Sequence, residues 1–348
     1  MADGTEGAGR NRNGGAARGA APGSRVGAPG SPERLRSLKL PVLYRDEHIA
    51  VVDKPPGLMV HTNRWERRVP NCINILGGSL QANVRTVHRL DRATSGVLVF
   101  ALTKESAAAL SELLRDGEVA KRYLAIVRGH PEKSGTIDEM LYSDRHPGGA
   151  DARTDFRVHS SSVISEAVGP FDEAWVSLAE LTLHTGRRHQ ARRHLHHINH
   201  PVLGDSRHGD AAWNVFAAGR TGSPRLFLRA WEVVLRLPHS GALLSVRGGL
   251  PRFWLEGCAA LNLAVPARYG ECRVELDGEV LYSGEAVEPT AEYEVAGEDE
   301  GPPDGSREAP HSSPPPASPD DSPGPPNAAP ASSDSSPAPS RSPSPDDV

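Results

Sequence analysis

The chain has 348 residues and a formal net charge of −5, unevenly spread: residues 38–268 are net basic and residues 269–348 strongly acidic. Its three cysteines, Cys72, Cys258 and Cys272, lie far apart with no CxxC spacing, which argues against a disulfide framework or a zinc ribbon. No apolar run is long enough to span a membrane, so the expectation is a monomeric protein of the reducing cytoplasm. A basic body suits a polyanionic partner, because each neutralised phosphate releases counterions.

Residues 1–37 are dominated by Gly, Ala and Arg, and residues 297–348 by Pro, Ser, Ala and acids, with no periodic apolar pattern in either. Such segments cannot bury enough surface to offset the entropy of ordering, so both are expected to be disordered. Between them, residues 38–268 make one domain's worth of chain, or two subdomains around a cleft, and residues 269–296 a hairpin extension turning at Asp277-Gly278.

In chain order, HIAVVDKP (His48 to Pro55) reads as a strand closed by Pro-Pro-Gly, and LMVH as a second short strand. Val97 to Leu102 is apolar enough to be buried on both faces. Lys104 to Asp116 carries Ala107, Leu110, Leu113 and Leu114 at helical spacing, with Gly117 beyond its end. Lys121 to Gly129 alternates Tyr123, Ala125 and Val127 against Leu124 and Ile126, a strand pattern. A polar, Gly-rich stretch leads to a strand in Ala174 to Gly186, a basic helix over Arg187 to His200, a turn at HPVLGD, and strands in LFLRAWEVVLRLP and ALLSVRGGLP. Strand signals outnumber helix signals. The expected fold class is α+β, a mixed, mainly antiparallel sheet with flanking helices around a cleft.

The sharpest chemical signal is a lone acid between arginines, Arg89-Leu90-Asp91-Arg92, followed by Thr94-Ser95-Gly96. Neighbouring cations favour a carboxylate, and a carboxylate in a cleft can serve as nucleophile or base. On its own the pattern also fits a salt-bridged surface loop.

HRLDRATSG resembles the catalytic motif of the RluA-type pseudouridine synthase family, which modifies ribosomal and transfer RNA. DKPPGLMVH, KRYLAIVRG, HTGRRHQARRH and HPVLGDSRHG resemble the family's other motifs, in its order, across roughly Leu43 to Pro266. The resemblance implies Asp91 as the attacking carboxylate, Tyr123 as the aromatic that stacks on uracil and takes part in removing the C5 proton, and Arg192 as an arginine bonded to Asp91. It also implies an isomerisation with no net redox change, hence no cofactor.

The target base must be flipped out of its stem, and Arg89, Arg92, Arg187, Arg188 and Arg193 are candidate RNA contacts. His88 reads as a support for the loop. The run ending in His208-Gly209-Asp210 and Asn214 looks most like the branch acting on uridine 65 in the TΨC stem of transfer RNA; a sister enzyme of 23S ribosomal RNA is the alternative. A noncatalytic RNA-binding factor would have lost Asp91, Tyr123 or Arg192, and a sugar hydrolase would want a second catalytic acid where Asp205 reads as structural. The cluster His184, His189, His194, His196, His197 and His200 has no metal-ligand pattern, and no metal is expected. The chain departs from the family at Ala191, usually Ile, Leu or Val, and at Arg229, commonly histidine.

Overall fold

The computed structural model describes residues 39–62, 69–143 and 146–288; the two terminal segments read as disordered lie outside them. The strands are β1 (Val42–Arg45), β2 (Ile49–Lys54), β3 (Arg85–Thr86), β4 (Ser95–Ala101), β5 (Ala120–Arg128), β6 (Ser134–Asp138), β7 (Leu141–Ser143), β8 (His146–Ala150), β9 (Arg153–Ile164), β10 (Ala174–Leu183), β11 (Leu228–Arg236), β12 (Leu243–Arg247), β13 (Glu271–Leu276) and β14 (Glu279–Glu285). The helices are α1 (Cys72–Leu80), α2 (Lys104–Arg115), α3 (Gln190–His197), α4 (Ala211–Thr221) and α5 (Arg252–Ala260).

One large sheet runs β1-β2-β4-β11-β5-β10-β9-β6, antiparallel except where β4 and β11 run parallel. The mixed, mainly antiparallel architecture expected from the strand-rich sequence is the one observed. The second half of β11 pairs with β12, which carries the β13–β14 hairpin, so residues 271–285 continue the main sheet.

Alternation along β5 divides the core as its sequence implies. Tyr123, Ala125 and Val127 join Leu90, Ala191 and Leu195 on one face. Leu124 and Ile126 meet Trp213 and Phe216 of α4 and Trp254 of α5 on the other. Tyr123 therefore shares a layer with the loop of Asp91 and with α3 because of strand periodicity alone.

Three expectations are revised. LMVH forms no strand; Met59 makes a single bridge to Asn71, and the Cys72 and Ile73 N–H groups donate to the Met59 and Val60 carbonyls at 2.9 and 3.2 Å. The polar stretch before Ala174 contains four strands, including the twelve-residue β9. Its burial is patchy and its sequence, RTDFRVHSSSVI, carries little apolar signal, so its conformation comes from pairing with β10. Helix α3 begins at Gln190 instead of Arg187, because the preceding turn ends in His189 with φ 53.

Two glycines permit close backbone approaches that hold the motifs. A Cβ on Gly96 (φ +115) would stand 1.9 Å from the Ala230 carbonyl oxygen, so the glycine of the TSG segment is what admits the parallel β4–β11 pairing. A Cβ on Gly204 (φ +77) would stand 2.0 Å from the Arg225 carbonyl oxygen, which makes the glycine before Asp205 equally obligatory.

Arg229, where the family commonly has histidine, forms a buried fork-to-fork pair with Asp53. Its Nη1 and Nη2 donate to the two carboxylate oxygens at 3.0 and 2.6 Å, and Nη2 also donates to the Gly249 carbonyl at 2.6 Å. The pair ties β2 to β11. Arg229→Ala strands the Asp53 carboxylate, and urea unfolding is expected to show a loss of about 3–5 kcal/mol. An Arg229→Met, Asp53→Leu double variant should lose much less, since no buried charge is left alone.

Candidate active site

The loop carrying Asp91 is clasped to the Pro-Pro-Gly turn after β2. The Gly57 N–H donates to the Arg92 carbonyl at 2.8 Å, and Arg92 Nε returns a bond to the Gly57 carbonyl at 3.1 Å. Lys54 is fully buried, and its ammonium donates to the carbonyls of Pro55, Leu58 and Arg92 at 3.0, 2.8 and 3.0 Å. A buried ammonium surrounded by carbonyls is well satisfied, and it explains why DKPPGL and HRLDR meet. On the other side, His88 Nε2 accepts the Val99 N–H at 3.0 Å. Burial, then the charge of Lys121, pushes His88 down to about 4, so it is a neutral acceptor that supports the loop.

Asp91 meets α3 across this loop. Arg192, 1% exposed, places Nη1 3.5 Å from Asp91 Oδ2, and His189 places Nε2 3.8 Å from Asp91 Oδ1. The Arg192–Asp91 contact expected from the sequence exists, but it is the longer of two. The tight partner of Arg192 is Asp205, whose oxygens accept from Nε at 2.8 Å and Nη2 at 2.7 Å. Asp205 Oδ1 also accepts the backbone N–H groups of Arg207 and His208 at 3.0 and 2.9 Å. Burial by itself would raise the Asp205 carboxyl; the hydrogen bonds and charge of Arg192 outweigh it and hold the group below the usual carboxylate range. Asp205 thus orients the arginine, and the arginine reaches on to Asp91.

Tyr123 packs in the same core layer as Leu90 of the Asp91 loop and Ala191 of α3. Burial first, and the nearby Asp91 charge second, push its phenol well above the ordinary tyrosine range, so it is protonated at neutral pH. A neutral ring 8% exposed is suited to stacking on a flat ligand.

Of the five arginines named for RNA contacts, Arg89, Arg187 and Arg188 are exposed. Arg187 Nε donates to the Asp151 carbonyl at 2.9 Å, and the half-buried Arg193 donates through Nη1 to the Tyr142 carbonyl at 3.1 Å. Arg92, Arg187 and Arg193 therefore also brace the protein itself. The histidines have separate partners: His184 bonds Asp155, His189 bonds His208, His194 bonds Thr154, and His200 bonds the Arg128 carbonyl. Among the described residues no group of three His, Cys, Asp or Glu is arranged to hold a metal ion.

Sequence reasoning passed over the roles of Lys54, His189 and His208, and read Asp205 as no more than a turn residue. The available signal for His189 was its spacing, since His189 and Arg192 at i and i+3 share one face. Gln190 was legible only in retrospect. Its amide oxygen accepts from Thr185 Oγ1 and the Arg187 N–H, and its nitrogen donates to the Arg153 carbonyl and Thr154 Oγ1, which closes the TGR turn.

Residues 48–197 match the family described as RNA pseudouridylate synthase. A protein named tRNA pseudouridine synthase C from Yersinia pestis is 35% identical over 228 residues, covering 62% of this chain and 88% of that protein. The chain belongs to the RNA pseudouridylate synthase family. A namesake from Pasteurella multocida is 34% identical, with 63% of this chain and 95% of that one covered. Against one from Pectobacterium carotovorum, 36% identical, the match covers 62% of this chain and 60% of the relative. Among solved structures, human RNA pseudouridylate synthase domain containing 4 aligns with TM-score 0.52 at 27% identity, over 65% of this chain and 94% of that one. Family membership ties the surroundings of Asp91 to the isomerisation of uridine in RNA.

Proposed function

We propose that this chain converts a uridine of transfer RNA to pseudouridine, with position 65 in the TΨC stem as its target. The observation that carries the reading is the proximity of Asp91 to both Arg192 and Tyr123 in a family member whose relatives include proteins named tRNA pseudouridine synthase C. The Asp91 carboxylate attacks the flipped-out nucleotide. The bond from uracil N1 to the sugar breaks, the base turns over against Tyr123, and a bond from C5 to the sugar forms; the C5 proton leaves, N1 takes up a proton, and the bond to Asp91 breaks to regenerate the carboxylate. Substrate and product have the same atoms and oxidation state, so the chemistry calls for no cofactor. What the protein must do is keep the detached base oriented in a closed site.

The exposed Arg89, Arg187 and Arg188 supply phosphate contacts, with Arg92 and Arg193 nearby. Residues 38–268 form the catalytic body, acting as a cytoplasmic monomer. Residues 1–37 and 297–348 are dispensable arms. Among the described residues no helix is long and apolar enough to cross a membrane.

The test is chemical mapping of pseudouridine in total RNA from cells lacking the gene, complemented with wild-type protein or with Asp91→Asn. The expected result is a signal at transfer RNA position 65 that only the wild type restores. Restoration in 23S ribosomal RNA instead would move the enzyme to the sister branch.

A further inference from the structure

We propose that His189 is a positioning residue for the nucleophile, presenting its Nε2–H to Asp91 Oδ1 while Nδ1 accepts a hydrogen bond from His208 Nε2–H. The inference deepens the synthase reading and rests on it.

Four observations lead there. First, His189 occupies the N-cap of α3 but makes no capping bond with its side chain, the usual service of that position. Its backbone sits at φ 53, a conformation costly for a residue with a Cβ and one that concentrates at functional sites. Second, the residue is 6% exposed, and among the described residues its ring meets His208, whose Nε2 lies 2.9 Å from Nδ1, and Asp91, whose Oδ1 lies 3.8 Å from Nε2. Third, Arg192 is already committed. Its Nε and Nη2 donate to Asp205, and Nη1 extends to Asp91, at 3.5 Å and to the opposite oxygen, Oδ2. The N-cap and first turn of α3 thus offer each oxygen of the nucleophile its own group, Arg192 to Oδ2 and His189 to Oδ1.

Fourth, the tautomer follows from electrostatics. Burial holds His208 far below the ordinary histidine range even though Asp205 pulls the other way, so its ring is neutral and has one N–H to give. A single proton lies between the two rings. If a singly protonated His189 supplied it, its Nε2 lone pair would face a carboxylate; if His208 supplies it, Nε2–H faces the carboxylate. The second arrangement is attractive and the first repulsive. At 3.8 Å the contact is longer than a hydrogen bond, and catalytic contacts commonly tighten when substrate closes the site.

The consequence is a chain His208 to His189 to Asp91, which steadies the carboxylate so that Oδ2 or Oδ1 is presented to the sugar or base in one orientation. The group acts on Asp91 and touches no substrate atom itself.

The test compares His189→Ala with His189→Gln, whose amide nitrogen can stand near the position of Nε2. Single-turnover isomerisation of a transfer RNA substrate is expected to slow about tenfold to a hundredfold in the alanine variant, with RNA Kd changed less than about threefold. The glutamine variant should recover most of that loss. Equal rates in the two variants, whether slow or wild-type, overturn the proposal. A wild-type measurement decides the matter even where neither variant folds: side-chain 15N spectra of the histidines should show His189 protonated at Nε2 and bare at Nδ1. A Nδ1–H tautomer refutes it. The rates of the variants are read against wild-type enzyme active on RNA, so a wild type with no activity on any RNA would count against the synthase reading, and an active wild type with the wrong tautomer against this one alone.

Discussion

Purified Asp91→Asn protein is expected to form no pseudouridine, a fall of about 10⁴-fold or more, the scale seen when a covalent nucleophile is removed. The amide keeps the shape of the carboxylate and can still accept from Arg192 Nη1, so the fold and the clasp between Gly57 and Arg92 are untouched. RNA binding should stay within about an order of magnitude, and any change should favour tighter binding, because a negative charge has been taken from a site that meets a polyanion. Tritium release from C5-labelled uridine RNA measures the rate, and filter binding the affinity. Wild-type release by this variant would remove Asp91 from its role.

Arg192→Ala should fail in two ways at once, a consequence of the order of its contacts. Catalysis is expected to drop by about tenfold to several hundredfold, because the cation facing Asp91 is gone. Stability should fall by about 3–5 kcal/mol, because the fully buried Asp205 loses its bidentate partner and keeps only two backbone N–H groups. The two losses separate in the Arg192→Ala, Asp205→Asn double variant, which should regain part of the stability and none of the activity. Urea titration and single-turnover assays read the two effects.

The same pair predicts a pH dependence. Asp205 has a lowered folded pKa, so its contribution to stability is present above the ordinary aspartate value and is lost as pH falls through that value toward the lowered one. Arg192→Ala should flatten this acid limb of the stability curve. An unchanged limb would show that Asp205 owes its ionisation to the backbone N–H groups instead.

The local pattern made much of this molecule legible. Ser95–Ala101 is buried at every position and reads as a central strand in any context, and Leu110, Leu113 and Leu114 at helical spacing announce α2. The charged loop at Asp91 and the arginine at Arg192 could be named because chemistry needs those residue types and because five motifs stand in family order. Periodicity on β5 even placed Tyr123 on the same face as Ala125 and Val127.

What stayed hidden depended on partners distant in the chain. Strand β9 has too little apolar pattern to declare itself and takes its shape from the register with β10. The pairing of Asp53 with Arg229 spans 176 residues, and neither side chain carries a local sign of it. The preference of Arg192 for Asp205 over Asp91 is a matter of 2.7–2.8 Å against 3.5 Å, decided by where the turn at Gly204 sets the acid beneath the helix. Sequence by itself determined which groups carry charge, which segments can bury themselves and which chemistry is available, because those are properties of residues and their near neighbours. Tertiary structure decided which acid each base holds, since a fixed guanidinium has few donors and goes first to the carboxylate that the backbone has already buried beside it.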